Sequence, residues 1–421
     1  MVTFRPGPLR GSAGVPGDKS ISHRALIAGI RCNGPLRVSN LNMGRDVAAT
    51  RNALESLGAT IEQNARDVVV HPSRLHSPPS ALDCMNSGST ARMLLGACAG
   101  AACAATFDGD DSLRRRPMEP VAAQLRAFGA RIETNGGALP MRLLGRNEVE
   151  TQRFILLAPS AQVKSALLFA GLFAGVNLRI DGDRGSRDHT ERLLAYLGAD
   201  VDWDARSVTF SPATLENRPI AIAGDFSAAA FFITGAAIAP GSSIVVRDVG
   251  VNPTRTGLLE ALRRMGAAIE LQNERTNCGE PIADIAVEHR PLRAIAIDAD
   301  LALRAIDELP LLAIAAAFAA GTTTIAGAGA LRTKESDRLA ATERLLGAVG
   351  VSAIVSGRAL QVTGGTPHAI AGAYVATEDD HRTVMAAAVL ASAAGAIGVD
   401  DAGAAEVSFP GFTAALERLQ A

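Results

Sequence analysis

The feature that most constrains the fold is an internal repeat of about 70 residues. A segment in which Gly precedes a strand-like stretch recurs at residues 56–62 (SLGATIE), 127–133 (AFGARIE), 196–202 (YLGADVD) and 264–270 (RMGAAIE), and more loosely at 348–354 (AVGVSAI). Each copy follows an amphipathic helical pattern and places Gly where a helix ends. Each then opens a strand–turn–strand alternation, which predicts a helix followed by two paired strands.

A second pattern alternates with the first. Polar or charged residues precede an Ala-rich stretch that is apolar almost all round, and helices of this kind are buried. Together the two patterns predict a β-α-β-α-β-β repeat. The fifth copy predicts a buried helix over residues 311–320. The six polar caps lie at residues 17–24, 86–90, 160–164, 225–227, 307–310 and 379–382.

Six buried helices are visible but only five Gly-plus-strand units, so we expect the first strands, Val2–Phe4 and residues 9–13, to complete the sixth repeat. The prediction is an α/β (α+β) fold with two similar domains, each of three β-α-β-α-β-β repeats around buried helices. The first domain would span residues 20–222 and the second residues 1–19 plus 223–421. The chain would cross between them near Asp18 and Ala223. We expect the helix caps, and with them the active site, in the cleft between the domains.

Composition excludes several classes of protein. The net charge of −2 argues against a general nucleic-acid-binding protein, which usually carries a basic face. The five cysteines show no CxxC pair and no metal-ligand spacing, which indicates reduced thiols. The N-terminus lacks the pattern of a signal peptide, and the longest apolar run, residues 309–320, is too short for a membrane span. We therefore expect a cytoplasmic protein with small-molecule partners.

The first cap carries the clearest chemistry. Ser20 is well placed as the N-cap of an apolar helix, and Lys19 and the first free N–H groups would lie at the positive end of its dipole. Arg24 follows Ser20 by one helical turn, so both residues would share a face. Such a site suits a phosphate or a carboxylate. Taken alone, the segment is equally typical of an ordinary cap with solvated charges.

The motifs together resemble the 5-enolpyruvylshikimate-3-phosphate (EPSP) synthases. They occur in the order GDKSISHR (17–24), NSGSTAR (86–92), RPM (116–118), KESDR (334–338) and DHR (380–382). The repeat covers essentially the whole chain. The resemblance implies the enolpyruvyl transferase fold. It also implies transfer of the carboxyvinyl group of phosphoenolpyruvate to the 5-hydroxyl of shikimate 3-phosphate, with release of phosphate, in the shikimate pathway. It further implies no cofactor, no metal and no nucleic-acid or membrane partner, and we expect a monomer.

The resemblance also implies site residues. Asp307 and Glu335 are the candidates for general acid and base catalysis, and which of them transfers which proton stays open. Shikimate 3-phosphate would be held by Lys19, Ser20, Arg24, Ser160, Gln162, Ser186, Asp307 and Lys334. Phosphoenolpyruvate would be held by Lys19, Gly88, Arg116, Gln162, Arg338 and Arg382. The arginine fork suits a carboxylate, and Gly88 would let a ligand approach the backbone.

Four positions differ from residues that are common in the family: Ala161, His189, Ala330 and Val407. These differences bear on ligand affinity and inhibitor sensitivity and leave the reaction unchanged.

Three alternatives remain at this stage, and the scarcity of aromatic residues argues against one of them, a nucleic-acid-processing relative of the same repeat architecture. The other two are as follows. The first is enolpyruvyl transfer to UDP-N-acetylglucosamine, whose enzymes typically carry a reactive Cys in a loop that here reads DGDDSLRRRPM (108–118) and contains no Cys. The second is a non-catalytic anion-binding relative. Pure binding has no need of two acids, so the pair Asp307 and Glu335 argues against it.

Overall fold

The structure, a computed structural model, describes residues 2–334 and 336–421. Two short 3₁₀ helices lie at Ala328–Thr333 and Gly403–Val407. The α-helices of the described residues are α1 (Lys19–Gly29), α2 (Arg45–Ser56), α3 (Gly88–Gly100), α4 (Asp111–Arg114), α5 (Glu119–Ala127), α6 (Ala161–Ala174), α7 (His189–Tyr196), α8 (Phe226–Ile238), α9 (Gly257–Arg264), α10 (Ala299–Arg304), α11 (Leu309–Ala317), α12 (Arg338–Gly347), α13 (His381–Ala394) and α14 (Phe412–Gln420).

The strands are short and numerous. They are β1 (Val2–Phe4), β2 (Arg10–Ala13), β3 (Leu36–Ser39), β4 (Ile61–Asn64), β5 (Asp67–Val70), β6 (Leu82–Asp83), β7 (Ala105–Asp108), β8 (Ala130–Asn135), β9 (Ala138–Arg146), β10 (Gln152–Ile155), β11 (Leu178–Asp181), β12 (Asp200–Trp203), β13 (Ser207–Ser211), β14 (Ile220–Ala221), β15 (Ser243–Gly250), β16 (Ala268–Asn277), β17 (Glu280–Glu288), β18 (Leu292–Arg293), β19 (Ala296–Ile297), β20 (Ala319–Ala320), β21 (Thr322–Ile325), β22 (Ala353–Ser356), β23 (Ala359–Thr363), β24 (Tyr374–Val375) and β25 (Ile397–Val399).

Contacts divide the described residues into two compact units. Unit I consists of Gly17–Ile222 and the short segment Thr276–Glu280. Unit II consists of residues 2–16, Ala223–Arg275 and Pro281–Ala421. The sequence pattern gave no indication that Thr276–Glu280, the tip of the β16–β17 hairpin, would group with unit I.

The helices that the sequence predicts to be buried form the core of each unit: α1, α3 and α6 in unit I, and α8, α11 and α13 in unit II. Every residue of α8 and of α11 is buried. Small residues let such helices pack closely. An added Cβ at Gly96 or Gly100 of α3 would overlap the backbone of Ala166 or Ala170 on α6.

Three four-stranded sheets cover the helices of unit I, and they share one topology. Their orders are β14-β3-β5-β4, β6-β7-β9-β8 and β10-β11-β13-β12. In each sheet the first two strands are parallel and the remaining neighbours are antiparallel. A parallel pair needs a crossover, and in the second and third sheets the buried helix supplies it.

Unit II repeats this arrangement less regularly. Its described residues form four-stranded sheets in the orders β2-β15-β17-β16 and β19-β21-β23-β22, the three-stranded sheet β24-β25-β1 and the two-stranded sheet β18-β20. Each four-stranded sheet begins with a parallel pair. The predicted α/β (α+β) class with three repeats around buried helices therefore describes the observed elements.

The two N-terminal strands do not both complete the sixth repeat, so this prediction was half wrong. Strand β1 pairs with β25 as expected, whereas β2 pairs with β15 in the fourth repeat. The reason is that strands β2 and β14 are exchanged between two repeats. Strand β2 precedes α1 in the chain but joins the sheet that follows α8. Strand β14 precedes α8 but joins β3, which follows α1.

The predicted helix over residues 311–320 is displaced. Helix α11 runs from Leu309 to Ala317, because Pro310 is tolerated in the first turn, where no intrahelical N–H bond is lost. It ends early because Ala319–Ala320 is strand β20, which pairs with β18.

None of the helices within the described residues is both long enough and apolar enough to cross a membrane.

Candidate active site

The first turn of α1 differs from the prediction in one respect. Asp18, not Ser20, is the N-cap: its Oδ1 accepts from the Ile21 N–H at 2.9 Å, and the helix begins at Lys19. Asp is as good a cap as Ser, and its position one residue before Lys19 places Ser20 inside the first turn. Lys19 Nζ donates to Oδ2 of Asp46 at 2.7 Å. Asp46, on α2, was not among the predicted site residues.

Arg24 lies one turn further along α1 and is buried. Its Nε donates to Oγ1 of Thr190 at 2.6 Å, and its Nη2 donates to Oγ of Ser165 at 2.9 Å. Its Nη1 donates to the Ser20 carbonyl at 2.7 Å, so Ser20 and Arg24 share a face as predicted. Burial lowers the pKa of Arg24 to about 10, and its charge persists at neutral pH.

A chain of side chains ties α1 to the neighbouring helices. His23 Nδ1 lies 2.7 Å from Oγ1 of Thr50 on α2, which lies 2.7 Å from Oγ1 of Thr90 on α3. Burial lowers the pKa of His23 to about 3; Asp46 opposes this effect, while Lys19 and Arg24 add to it. A neutral His23 beneath the cations spares the site a further buried charge.

Gly88 opens α3 beside two arginines. A Cβ added at Gly88 would clash with Nη1 of Arg92 and lie 3.5 Å from Nη1 of Arg116. Arg116 Nη2 donates to Oδ1 of Asn86 and, at 3.4 Å, to Oγ of Ser112. The N-terminus of α3 therefore combines free N–H groups, two guanidinium groups and a backbone open to close approach, which suits a carboxylate or a phosphate.

Gln162 joins this cluster from α6. Its Oε1 accepts from Arg92 Nη1 at 2.7 Å, and its Nε2 donates to Oγ of Ser89 at 3.0 Å. Arg92 was missed as a site residue although it ends the motif NSGSTAR. Its spacing from Gly88, one helical turn, was the signal available in the sequence.

Ser160 and Ser186 occupy different environments. Ser160 is the N-cap of α6, and its Oγ accepts from the Val163 N–H at 3.4 Å. Ser186 lies in the loop before α7, and its buried Oγ has no hydrogen-bond partner among the described residues. A buried hydroxyl without a partner is costly unless a ligand or water satisfies it, so Ser186 is a ligand-binding candidate on structural grounds as well.

The predicted residues of unit II that the structure describes lie around Asp307. Asp307 Oδ1 accepts from Lys334 Nζ at 3.1 Å and lies 3.9 Å from Nη1 of Arg338. Arg382 Nη1 donates to the Asp307 carbonyl at 3.0 Å and lies 3.5 Å from Oε1 of Glu308. Two cations therefore lie beside the Asp307 carboxylate and offset its negative charge, while Arg382 contacts the Asp307 main chain.

Asp380 holds two of the elements in this cluster together. As the N-cap of α13 it accepts from the Arg382 N–H at 2.8 Å, and it accepts from Arg338 Nε at 2.8 Å. It also accepts from the Ser336 hydroxyl at 2.9 Å. The DHR and KESDR motifs therefore meet at this aspartate, whose role the sequence did not indicate.

Glu308 is a second residue that sequence reasoning missed. It is fully buried at the start of α11, and its Oε1 accepts from the Ser227 hydroxyl at 2.5 Å. Arg255 donates to the same hydroxyl at 2.7 Å. The two acidic residues 307 and 308 thus serve different purposes: one side chain faces Lys334, and the other is embedded among the N-termini of α8, α11 and α13.

Glu335, the second candidate acid–base residue, lies outside the described residues, and its role stays a prediction. Among the described residues no group of three or more His, Cys, Asp or Glu side chains is arranged to hold a metal ion. What the described residues supply is cationic: Lys19, Arg24 and Arg116 in unit I, and Lys334, Arg338 and Arg382 in unit II. Such groups bind anionic substrates, and Asp307 among them can accept or donate a proton.

Comparison with known families decides the relationship. The model for EPSP synthase (3-phosphoshikimate 1-carboxyvinyltransferase) matches residues 4–416 of the chain. The chain belongs to the EPSP synthase family. The 3-phosphoshikimate 1-carboxyvinyltransferase of Anaeromyxobacter sp. (strain Fw109-5) is 44% identical over 423 residues, which cover 100% of this chain and 98% of that protein. That of Desulforudis audaxviator is 44% identical and covers 98% and 97%.

Solved EPSP synthases share the architecture. The enzyme from Acinetobacter baumannii superimposes with a TM-score of 0.87 at 36% identity, covering 99% of this chain and 98% of the other. The enolpyruvyl transferase NikO from Streptomyces tendae gives 0.77 at 18% identity, covering 99% and 96%, and shows the fold alone. The predicted enolpyruvyl transferase fold is therefore confirmed.

Proposed function

We propose that this EPSP synthase family member transfers the carboxyvinyl group of phosphoenolpyruvate to the 5-hydroxyl of shikimate 3-phosphate and releases inorganic phosphate. The observation that carries the proposal is the cluster around Asp307, in a chain that matches the family over residues 4–416. Lys334 and Arg338 lie at 3.1 Å and 3.9 Å from one carboxylate oxygen. A purely anion-binding protein would have no use for a carboxylate at that place.

Substrate binding uses the cations and cap residues already described. Both substrates carry a phosphate and a carboxylate, which helix N-termini and arginine forks bind well. Shikimate 3-phosphate is held by Lys19, Ser20, Arg24, Ser160, Gln162, Ser186, Asp307 and Lys334. Phosphoenolpyruvate is held by Lys19, Gly88, Arg116, Gln162, Arg338 and Arg382.

The reaction needs two proton transfers in the addition and one in the elimination. In the addition, the 5-hydroxyl oxygen bonds to C2 of phosphoenolpyruvate, its proton passes to a base, and C3 gains a proton from an acid. In the elimination, C3 loses a proton, the C2–O bond to phosphate breaks, and the new double bond forms. Asp307 and Glu335 share these roles, and their order is not assigned. General acid–base catalysis contributes about 10²–10⁴-fold to the rate.

The assay of phosphate release tests the proposal. Phosphate should appear only when both phosphoenolpyruvate and shikimate 3-phosphate are present, and EDTA should not reduce the rate, because the proposed groups are side chains alone. Release with UDP-N-acetylglucosamine in place of shikimate 3-phosphate would replace the proposal with the sister reaction. Binding of shikimate 3-phosphate without any turnover would favour a non-catalytic relative.

Asp307→Asn separates catalysis from binding. We expect kcat to fall by about 10²–10⁴-fold, because the amide cannot exchange the proton, with a smaller change in the Kd of shikimate 3-phosphate. Asp298→Asn is the matched control, since Asp298 caps α10 and Asn caps helices equally well. A kcat within threefold of wild type in Asp307→Asn would remove Asp307 from the mechanism.

We propose that the active protein is a monomer. Light scattering during size-exclusion chromatography should give the 43.4 kDa mass of a single chain. The cytoplasmic location stays a prediction.

A further inference from the structure

Lysine use in this chain singles out one residue that the proposed function leaves unexplained. Of the 41 Lys and Arg residues, only Lys19, Lys164 and Lys334 are lysine. Each of the three pairs with a carboxylate, and two of them belong to the proposed substrate site. A lysine differs from an arginine in presenting a compact ammonium group with three rotatable N–H donors. The question is what Lys164 does.

Lys164 lies in the first turns of α6, with 2% of its side chain exposed. Its Nζ donates to Oδ2 of Asp183 at 2.6 Å and lies 2.6 Å from Oε1 of Glu191. It also donates to the Ser186 carbonyl at 3.4 Å. Two hydrogen-bond acceptors and a second carboxylate at ion-pair distance thus surround the ammonium group. Both carboxylates are buried as deeply as the lysine.

The pair with Asp183 fixes the backbone of a ligand-binding residue. Oδ1 of Asp183 accepts from the Ser186 N–H at 3.3 Å and from the Arg184 N–H at 3.1 Å. The N–H of Ser186 is therefore held through Asp183, and its carbonyl is held by Lys164 directly. The loop leaves only the Ser186 hydroxyl free, which is buried and has no partner among the described residues.

The pair with Glu191 leads to Arg24. Glu191 follows Thr190 at the start of α7, and Thr190 Oγ1 accepts from Arg24 Nε at 2.6 Å. Burial opposes the charge of Lys164, but Glu191 and Asp183 outweigh this effect and raise the pKa of Lys164. Burial raises the pKa of Glu191. The ammonium thus keeps its charge at neutral pH and holds α6, α7 and the loop between β11 and α7 together.

We propose that Lys164 is a positioning residue for shikimate 3-phosphate: it fixes the loop so that the Ser186 hydroxyl points to the ligand, and it supports Arg24 through α7. The proposal rests on the proposed function, in which Ser186 and Arg24 bind this substrate. Lys164 itself touches no substrate. Substitution of Lys164 should therefore act through Ser186. It should raise the KM for shikimate 3-phosphate more than the KM for phosphoenolpyruvate.

A double-mutant cycle with Lys164→Met and Ser186→Ala tests this dependence. Ser186→Ala alone should raise the KM for shikimate 3-phosphate roughly tenfold, the effect of one lost hydrogen bond. Lys164→Met should raise it at least as much, and the double variant no further than Lys164→Met alone. The KM for phosphoenolpyruvate should change less than threefold. Arg153→Met is the control, because it breaks the 2.7 Å pair with Asp181 just before the same loop and leaves Ser186 anchored.

The outcomes separate the two proposals. If the wild-type protein releases no phosphate with phosphoenolpyruvate and shikimate 3-phosphate, the proposed function is wrong, and this is known before any variant is made. In an active protein, three results overturn the role of Lys164: an unchanged KM, effects of the two substitutions that simply multiply, or an equal rise in both KM values. Circular dichroism checks folding, since one partner of a buried ion pair is removed. If Lys164→Met does not fold, Asp183→Asn replaces it in the same cycle, with a smaller rise of about threefold expected and the same results overturning the proposal.

Discussion

At the scale of single residues, Gly88 is the position where one added carbon has the clearest consequence. In Gly88→Ala the new Cβ would displace Arg92 and crowd Arg116, whose guanidinium lies 3.5 Å away. We expect the KM for phosphoenolpyruvate to rise roughly tenfold or more, as for a lost charge-assisted hydrogen bond, and the KM for shikimate 3-phosphate to rise less. Gly347→Ala, where nothing lies within 4 Å of the new carbon, is the control. Steady-state kinetics that show equal shifts for both substrates would contradict the placement of phosphoenolpyruvate at α3.

Burial of His23 should make the free energy of unfolding depend on pH. Its folded-state pKa is about 3 and its ordinary value is 6.5. Below pH 6.5 the unfolded chain therefore binds a proton that the folded protein refuses, so the free energy of unfolding falls as the pH falls from 6.5 towards 3. Between pH 7 and 5.5 the expected loss from this residue is about 1 kcal/mol.

Urea unfolding at pH 7 and 5.5 measures this loss in the wild type and in His23→Gln. The variant should lack this part of the difference, whatever its overall stability. His368→Gln, at an exposed histidine, should keep the wild-type difference. A His23→Gln variant with the same pH dependence as the wild type would show that His23 takes up its proton in the folded state.

The sequence allowed candidate residues to be named but not their connections. Their roles stay predictions, but the cations and Asp307 could be named because motifs such as KESDR and DHR resemble those of the EPSP synthases. Their partners could not, because Asp46, Glu308 and Asp380 act over separations of tens of residues: Asp380, for example, accepts from Arg338, 42 residues away. Only the packing of the helices brings such pairs together.

At the scale of elements, the start of α1 offers a direct comparison of two candidate caps. Asp18→Ala removes the acceptor for the Ile21 N–H and should lower the free energy of unfolding by about 1–2 kcal/mol. Ser20→Ala should change it by less than about 0.5 kcal/mol, because Ser20 lies inside the helix. Thermal or denaturant unfolding of both variants without ligand decides between them. A larger fall in the free energy of unfolding for Ser20→Ala than for Asp18→Ala would identify Ser20 as the N-cap, as the sequence pattern suggested.

The elements themselves followed from periodicity, whereas their pairing did not. Helices that are apolar on every face and Gly stops before strand pairs predicted the repeated helices and hairpins. Nothing local indicated that β2 would join β15 rather than the repeat to which β1 belongs, since both strands precede α1. A parallel strand can pair only with a strand whose edge is still open, and which edges are open is settled only when the sheet has formed.

At the scale of the whole molecule, each unit has its own core of three buried helices and its own set of proposed ligand-binding residues. The repeat alone predicted three buried helices in each of two domains, whereas the ligand-binding residues were named from the resemblance to the EPSP synthases. It could not predict that Thr276–Glu280 groups with unit I, where Glu280 Oε1 lies 2.7 Å from Nδ1 of the buried His189. Hairpin length carries no information about what the tip will contact. His189, one of the departures from the family pattern, has its partner in this segment.

The last prediction concerns amide hydrogen exchange at the proposed ligand-binding residues of each unit. Two loops should become protected together when the reaction product and inorganic phosphate, which carry the same groups as the two substrates, are added: residues 182–188, which carry Ser186 in unit I, and residues 376–380, which precede α13 and Arg382 in unit II. At 100 times the Kd a ligand stabilises the bound state by about 2.7 kcal/mol, so opening of either loop should become roughly 100-fold rarer. The hairpins β4–β5 and β22–β23, which carry no proposed ligand-binding residue, should exchange as before. Protection confined to residues 182–188 would contradict the proposed binding of phosphoenolpyruvate by Arg338 and Arg382.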